Sequence, residues 1–214
     1  MGWANASYLE AVLETINGGI VHGRNAANFF DQTQELSDEA IEALRRYSRS
    51  EFAGQVDGKT LNAALLAEDR SHDEWAENLD RAFVWTSDRD VLLWRGFKES
   101  VPVRDASRSF LSTSLVERQA RRFKSRGGSG VAAIVLPAGS RVAIPQNIWS
   151  NGDERTLGIV RREAEIILPR ETSFELSATV FPFRDREGSA SARVSVYRAC
   201  VPTLDRAKLL TRSI

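Results

Sequence analysis

Cysteine and histidine are almost missing from this 214-residue chain, which has one cysteine, Cys200, and two histidines, His22 and His72. A lone cysteine excludes an internal disulfide framework. Two histidines far apart in sequence argue against a zinc site. Net charge is missing as well, because 29 basic and 29 acidic residues cancel. No bulk field therefore draws the chain towards nucleic acid or an anionic membrane. No apolar stretch approaches the length of a membrane span, and no charged-then-apolar leader resembles a signal peptide. The opening Met1-Gly2-Trp3-Ala4-Asn5-Ala6-Ser7 nearly imitates a myristoylation signal, but its hydroxyl falls one place too late. The expectation is a protein that works in a cytoplasm, without a membrane partner and without a metal.

Chain length points to a single domain over 1–214, with ample material for a core. Helix signals come first. Residues 7–16 carry apolar positions at helical spacing and stop at Asn17-Gly18-Gly19. Ser37-Asp38-Glu39 opens a second helix with Ile41, Leu44 and Tyr47 on one face. A third spans 60–68, and Ser71-His72-Asp73-Glu74 reads as a capping box for a fourth running towards Val84. From about Asp90 the period changes. Short β-rich runs occupy 91–97, 109–114, 131–136, 141–144, 163–168, 173–181 and 192–199, separated by Gly, Pro, Ser and Asp. Helices followed by strands predict an α+β fold, with a helical lobe over 1–85 and a β-rich core over 86–214. Ser125-Arg126-Gly127-Gly128-Ser129-Gly130 reads as a surface loop.

Three segments bear on chemistry. In Glu163-Ala164-Glu165-Ile166-Ile167-Leu168-Pro169 two carboxylates open an apolar run that favours a strand, and Pro169 ends it. On an extended strand, residues two apart share a face. The pair then asks for a cationic partner, either a protein arginine or a cation formed in a reaction; a solvated strand start at a sheet edge is the plainer alternative. In Val91-Leu92-Leu93-Trp94-Arg95-Gly96-Phe97 an arginine sits inside an apolar strand, where burial demands an anion. Its planar fork suits phosphate, and Gly96 admits a ligand close to the backbone. Pairing with an acidic neighbour at a strand end would serve equally. In Phe110-Leu111-Ser112-Thr113-Ser114-Leu115 alternation separates Ser112 and Ser114 from Thr113. Ser114 also fits as the cap of a following helix through Ser114-Leu115-Val116-Glu117. Ser112 has no such structural duty and can bond a neighbouring carboxylate.

An arginine on an early strand, a Ser-Thr-Ser strand and a Glu-x-Glu strand, in that order, resemble the arginine-type mono-ADP-ribosyltransferases, which move ADP-ribose from NAD to a protein. The resemblance covers roughly 38–200 and implies N-terminal helices packed on two small, mostly antiparallel sheets. It implies that Arg95 holds the NAD phosphates, that the Gly96 backbone meets the nicotinamide amide, and that Ser112 orients the catalytic Glu165. Thr113 and Ser114 belong to the same cofactor-binding strand. The phosphate–nicotinamide loop would fall at 121–130, with Phe123 stacking on nicotinamide and Arg126 as a second phosphate contact. Glu163 takes the position associated with modifying arginine, 149–162 would be the target-recognition loop, and Tyr47 is a further candidate for packing on the ligand. One departure is Ser109, where some toxin relatives carry an asparagine that contacts ribose.

The implied chemistry suits these residues. Cleaving the nicotinamide–ribose bond builds an oxocarbenium-like cation, as in glycoside cleavage, and a carboxylate on the ribose 2′-hydroxyl stabilises it. An ordinary glutamate, with pKa about 4.3, is ionised at neutral pH. An arginine acceptor is a poor nucleophile while protonated, so a second carboxylate has a task. The expected partners are NAD, as substrate, and a target protein with an accessible arginine; an immunity protein is a further candidate. The setting would be the cytoplasm of the producer or of a target cell after delivery. A NAD glycohydrolase, transfer to RNA, and a non-catalytic binding module of the same fold remain as alternatives. The intact Arg95, Ser112, Glu163 and Glu165 argue against the last. Zero net charge argues against RNA, although Arg118, Arg121, Arg122, Lys124 and Arg126 form a local basic stretch.

Overall fold

The computed structural model describes residues 30–31, 35–48, 57–97, 108–125, 130–149, 164–183 and 192–202. The helix expected over 7–16, the loop 150–162, Glu163 and Arg126 lie outside the described residues. Helix α1, Asp38–Ser48, buries Ala40, Ala43, Leu44 and Tyr47, which recur at the spacing of one helical stripe. Ser37 Oγ accepts from the Ala40 N–H at 3.3 Å, Asp38 and Glu39 occupy the first turn and Arg45 and Arg46 the last, so cap and macrodipole agree. Helix α2, Gly58–Leu66, is capped by Asp57, whose carboxylate accepts from the Lys59 and Thr60 N–H groups at 3.1 Å. The expected capping box at Ser71 does not form. Asp69 instead caps a 3-10 turn at Arg70–His72, and helix α3, Asp73–Asp80, follows directly and stops short of Val84. The Asp69 carboxylate takes the Ser71 N–H at 2.9 Å, so a local aspartate outcompetes the box.

The strands are β1, Val91–Phe97; β2, Leu111–Ser114; β3, Gly130–Leu136; β4, Glu165–Leu168; β5, Ser173–Phe183; and β6, Ala192–Cys200. Helix α4, Glu117–Ser125, lies between β2 and β3, and the four-residue α5, Pro145–Ile148, precedes β4. Only β3 and β6 run parallel among the described pairs. The α+β class stands, but the two expected sheets join as one six-stranded sheet in the order β4-β2-β1-β3-β6-β5. The join is narrow. β1 and β3 pair over seven positions from Val91↔Leu136 to Phe97↔Gly130, whereas β1 meets β2 only at Trp94↔Ser114. A two-strand wing, β2 with β4, thus hangs on a four-strand body. The run at 141–144 forms isolated bridges, Trp85↔Val142 and Ala143↔Ile167, instead of a strand, because Pro145 starts α5 immediately afterwards.

Both faces of the body are covered, which explains why β1 and β3 read as nearly continuous apolar runs. Val91, Leu93, Ala132, Ile134 and Leu136 join the core formed with α1, α2 and α3. Leu92, Trp94, Val131, Ala133, Val135, Val194 and Val196 face a second core with Ala120 of α4. Alternation therefore sends Arg95 to the side of α1, in line with Leu93.

Candidate active site

The site is built where the wing meets the body. Arg95 leaves β1 just after its apolar half and is half-buried. Its Nη1 donates to the Ser112 carbonyl of β2, although the ladder pairs only Trp94 with Ser114 there. Burial lowers the pKa of Arg95, against the opposing pull of Tyr47 and Glu165. A desolvated guanidinium of this kind gains from an anion with oxygens placed for its fork. Gly96 follows on the strand and is half-buried.

On β2 the three hydroxyls have different surroundings. The Ser112 Oγ donates to Tyr47 Oη at 3.3 Å. Thr113 Oγ1 donates to the Ile166 carbonyl of β4 at 2.6 Å and is buried, so it ties the wing together. Ser114 Oγ accepts from the Val116 N–H at 2.9 Å, the turn that leads into α4. The capping box expected at Ser114 does not form: α4 begins only at Glu117, whose carboxylate accepts from Arg121, and Ser114 instead closes the two-residue turn that precedes the helix. Phe123 lies on α4, but its side chain is outside the described residues. Ser109 is buried two residues before Leu111.

Glu165 begins β4, opposite Ser114, while Ile167 stands opposite Ser112. Pairs across a ladder share a face, so Glu165 and Ser112 lie on the same side of the wing. Ala164 corrects the sequence reading. Its φ is 42°, in the left-handed region, and its carbonyl accepts the Leu115 N–H at 3.0 Å. The extended geometry starts at Glu165, so the strand expected over 163–168 begins later than its sequence run, and Glu163 lies outside the described residues. A non-glycine residue held left-handed costs about 1–2 kcal/mol. The cost falls on the residue between the two carboxylates.

Tyr47 links the helices to this wing. It is buried, and its ring meets Phe110 edge-on with centroids 5.8 Å apart. Desolvation, together with the nearby Glu165 charge, pushes its pKa up to about 12, against the hydrogen bonds from Ser112 and Asn62. Asn62 of α2 was not singled out in the sequence. Its Nδ2 donates to Tyr47 Oη and to the Phe110 carbonyl, both at 3.0 Å, and its Oδ1 accepts the Phe110 N–H at 3.0 Å. The signal was one amide among Leu61, Ala63, Ala64 and Leu65. Gly58 permits the approach: a Cβ there would lie 2.8 Å from the Tyr47 carbonyl oxygen. Next to Tyr47, Ser48 Oγ accepts from Trp149 Nε1 at 3.3 Å, which roots the start of the 149–162 segment on α1. The described residues contain no group of three or more His, Cys, Asp or Glu arranged for a metal, and no helix long and apolar enough to cross a membrane.

By sequence alone the chain matches no family model and no curated protein. Solved structures do match. The fold is similar to that of Plx2a, an ADP-ribosyltransferase toxin from Paenibacillus larvae, with 17% identity and a TM-score of 0.57 over 77% of this chain and 87% of that one. The enzymatic component C2-I of the Clostridium botulinum C2 toxin has 17% identity and a TM-score of 0.57, over 79% of this chain and 45% of that one. C3stau2 from S. aureus, solved with NAD, has 14% identity and a TM-score of 0.53, over 86% and 99%. At such identities the likeness is one of architecture: the chain has the fold of the ADP-ribosyltransferase toxins.

Proposed function

We propose that the protein is a NAD-dependent mono-ADP-ribosyltransferase of the toxin or effector kind, acting in a cytoplasm on an arginine of a target protein. The observation that carries this reading is the meeting of Arg95, Ser112, Tyr47 and Glu165 at the junction of wing and body. Solved structures of the same fold contain the required substrate or its reduced form, NAD in C3stau2 and NADH in BECa of C. perfringens. Arg95 binds the pyrophosphate with its fork, assisted by Arg126, and the Gly96 backbone meets the nicotinamide amide, over which Phe123 stacks. Ser112 orients Glu165.

The Glu165 carboxylate then bonds the ribose 2′-hydroxyl. As the C1′–N bond breaks, its electron pair leaves with neutral nicotinamide, and the carboxylate stabilises the ribosyl cation left behind. Glu163 accepts hydrogen bonds from the incoming guanidinium and takes the proton released when its nitrogen attacks C1′. The segment 149–162 presents the target. Adding labelled NAD to a whole-cell lysate tests the reading: nicotinamide is released and label enters protein. Nicotinamide release with no labelled protein would make the enzyme a NAD glycohydrolase instead, and no release at all would contradict both.

A further inference from the structure

Tyr47 has one proton and two lone pairs, and all three are engaged. The hydroxyl donates to the Phe110 carbonyl at 3.3 Å. It accepts from Asn62 Nδ2 at 3.0 Å and from Ser112 Oγ at 3.3 Å. In this arrangement the Ser112 proton is spent on Tyr47, so Ser112 has only lone pairs for anything else. A carboxylate accepts and does not donate. Ser112 therefore cannot serve Glu165 until its proton turns round.

The geometry points to Tyr47 and Asn62 as positioning residues that set the direction of the Ser112 hydroxyl proton. Two rotations reverse the chain. Tyr47 turns its proton from the Phe110 carbonyl to Ser112 Oγ, and Ser112 turns its own towards the face it shares with Glu165. Asn62 makes the reversal free of a buried orphan, since Nδ2 stays on both the Phe110 carbonyl and Tyr47 Oη. The Phe110 N–H on Asn62 Oδ1 fixes which way round the amide sits. After reversal every donor points one way, from Asn62 through Tyr47 and Ser112 to the glutamate, and hydrogen bonds in such a chain strengthen one another. No proton changes owner. Burial keeps Tyr47 protonated far above neutral pH, so it remains a donor throughout. The close approach at Gly58 holds α2, and Asn62 with it, against Tyr47.

This assignment rests on the proposed NAD chemistry, and a double-mutant cycle tests it. Asn62→Ala would also strip the Phe110 clamp, so Tyr47→Phe, which keeps the ring packing, carries the experiment. Nicotinamide release and the calorimetric Kd for NAD are measured for wild type, Tyr47→Phe, Ser112→Ala and the double variant. Tyr47→Phe should lower kcat about five- to tenfold, the loss of roughly one hydrogen bond, with Kd changed less than about twofold. In the Ser112→Ala background the same change should lower kcat by less than about twofold, because nothing is left for Tyr47 to direct. Independent, multiplying losses, or a Kd that weakens as much as kcat falls, would overturn the positioning role while leaving the transferase reading intact. A wild-type protein that releases no nicotinamide would overturn both.

Discussion

The Arg95 guanidinium donates to the backbone carbonyl of Ser112, 17 residues away, and so bridges the two strands at the narrowest part of the sheet. A cation aimed in this way has its orientation set before any ligand arrives. Arg95→Ala should weaken NAD binding by about 1.5–3 kcal/mol, the range for a hydrogen bond to a charged group. Isothermal calorimetry reads this directly. Unchanged affinity would remove Arg95 from the phosphate role.

An ion pair holds the far side of the wing. Arg170, just beyond β4, places Nε and Nη2 on the Asp80 carboxylate at the end of α3. The side chains are 30% and 12% exposed, so the pair is shielded from water, and the guanidinium also lies over the Phe110 ring at 5.5 Å. Asp80→Ala would strand a shielded guanidinium and should destabilise the protein by about 1–3 kcal/mol. Urea denaturation measures it, as a lower midpoint with an unchanged slope.

Tyr47 gives a pH signature. Its folded-state pKa is raised to about 12, whereas an unfolded tyrosine ionises near pH 10. Between about pH 10 and 12 the unfolded chain loses this proton first, so the contribution of Tyr47 to stability falls as pH rises through that window. Denaturation at stepped pH should show a shallower decline for Tyr47→Phe than for wild type. Identical slopes would mean that the phenol is not held in a desolvated site.

Ala164 gives a backbone test. It is buried, with φ 42°, a conformation that a β-branched residue tolerates worse than alanine does. Ala164→Val should destabilise by about 2 kcal/mol or more through strain and overpacking. It should also displace Glu165, so nicotinamide release should fall by more than stability alone accounts for. Thermal unfolding measured beside activity separates the two effects.

How much could be read in the sequence depended on how local the cause was. β1 and α1 were legible because apolar periodicity and end signals agree within each segment: Val91–Phe97 has the expected bounds, and α1 starts one residue after Ser37. Ser114 was legible only as a residue that bonds the nearby backbone, for its partner is the N–H two places on, while α4 itself starts later, at Glu117. The meeting of Tyr47, Asn62 and Phe110 was not, because its hydrogen bonds join residues as far apart as 63 positions. The left-handed turn at Ala164 was hidden for another reason. Nothing in Glu-Ala-Glu forbids a strand, and the hydrogen bond from Leu115 that holds the turn comes from the end of β2. The single sheet was also a matter of tertiary pairing, decided by the Trp94↔Ser114 contact.

The central claim is that Glu165 carries the cleavage of NAD while Glu163 serves the acceptor, and nicotinamide release measured beside protein labelling in Glu165→Gln and Glu163→Gln tests it most directly. Glutamine keeps size and hydrogen bonding but removes the charge. Glu165→Gln should lose both release and labelling by a hundredfold or more, on the order seen when one preorganised electrostatic partner is removed. Glu163→Gln should lose labelling yet keep slow, measurable release. Equal loss of release in the two variants, or full labelling by Glu165→Gln, would contradict the account.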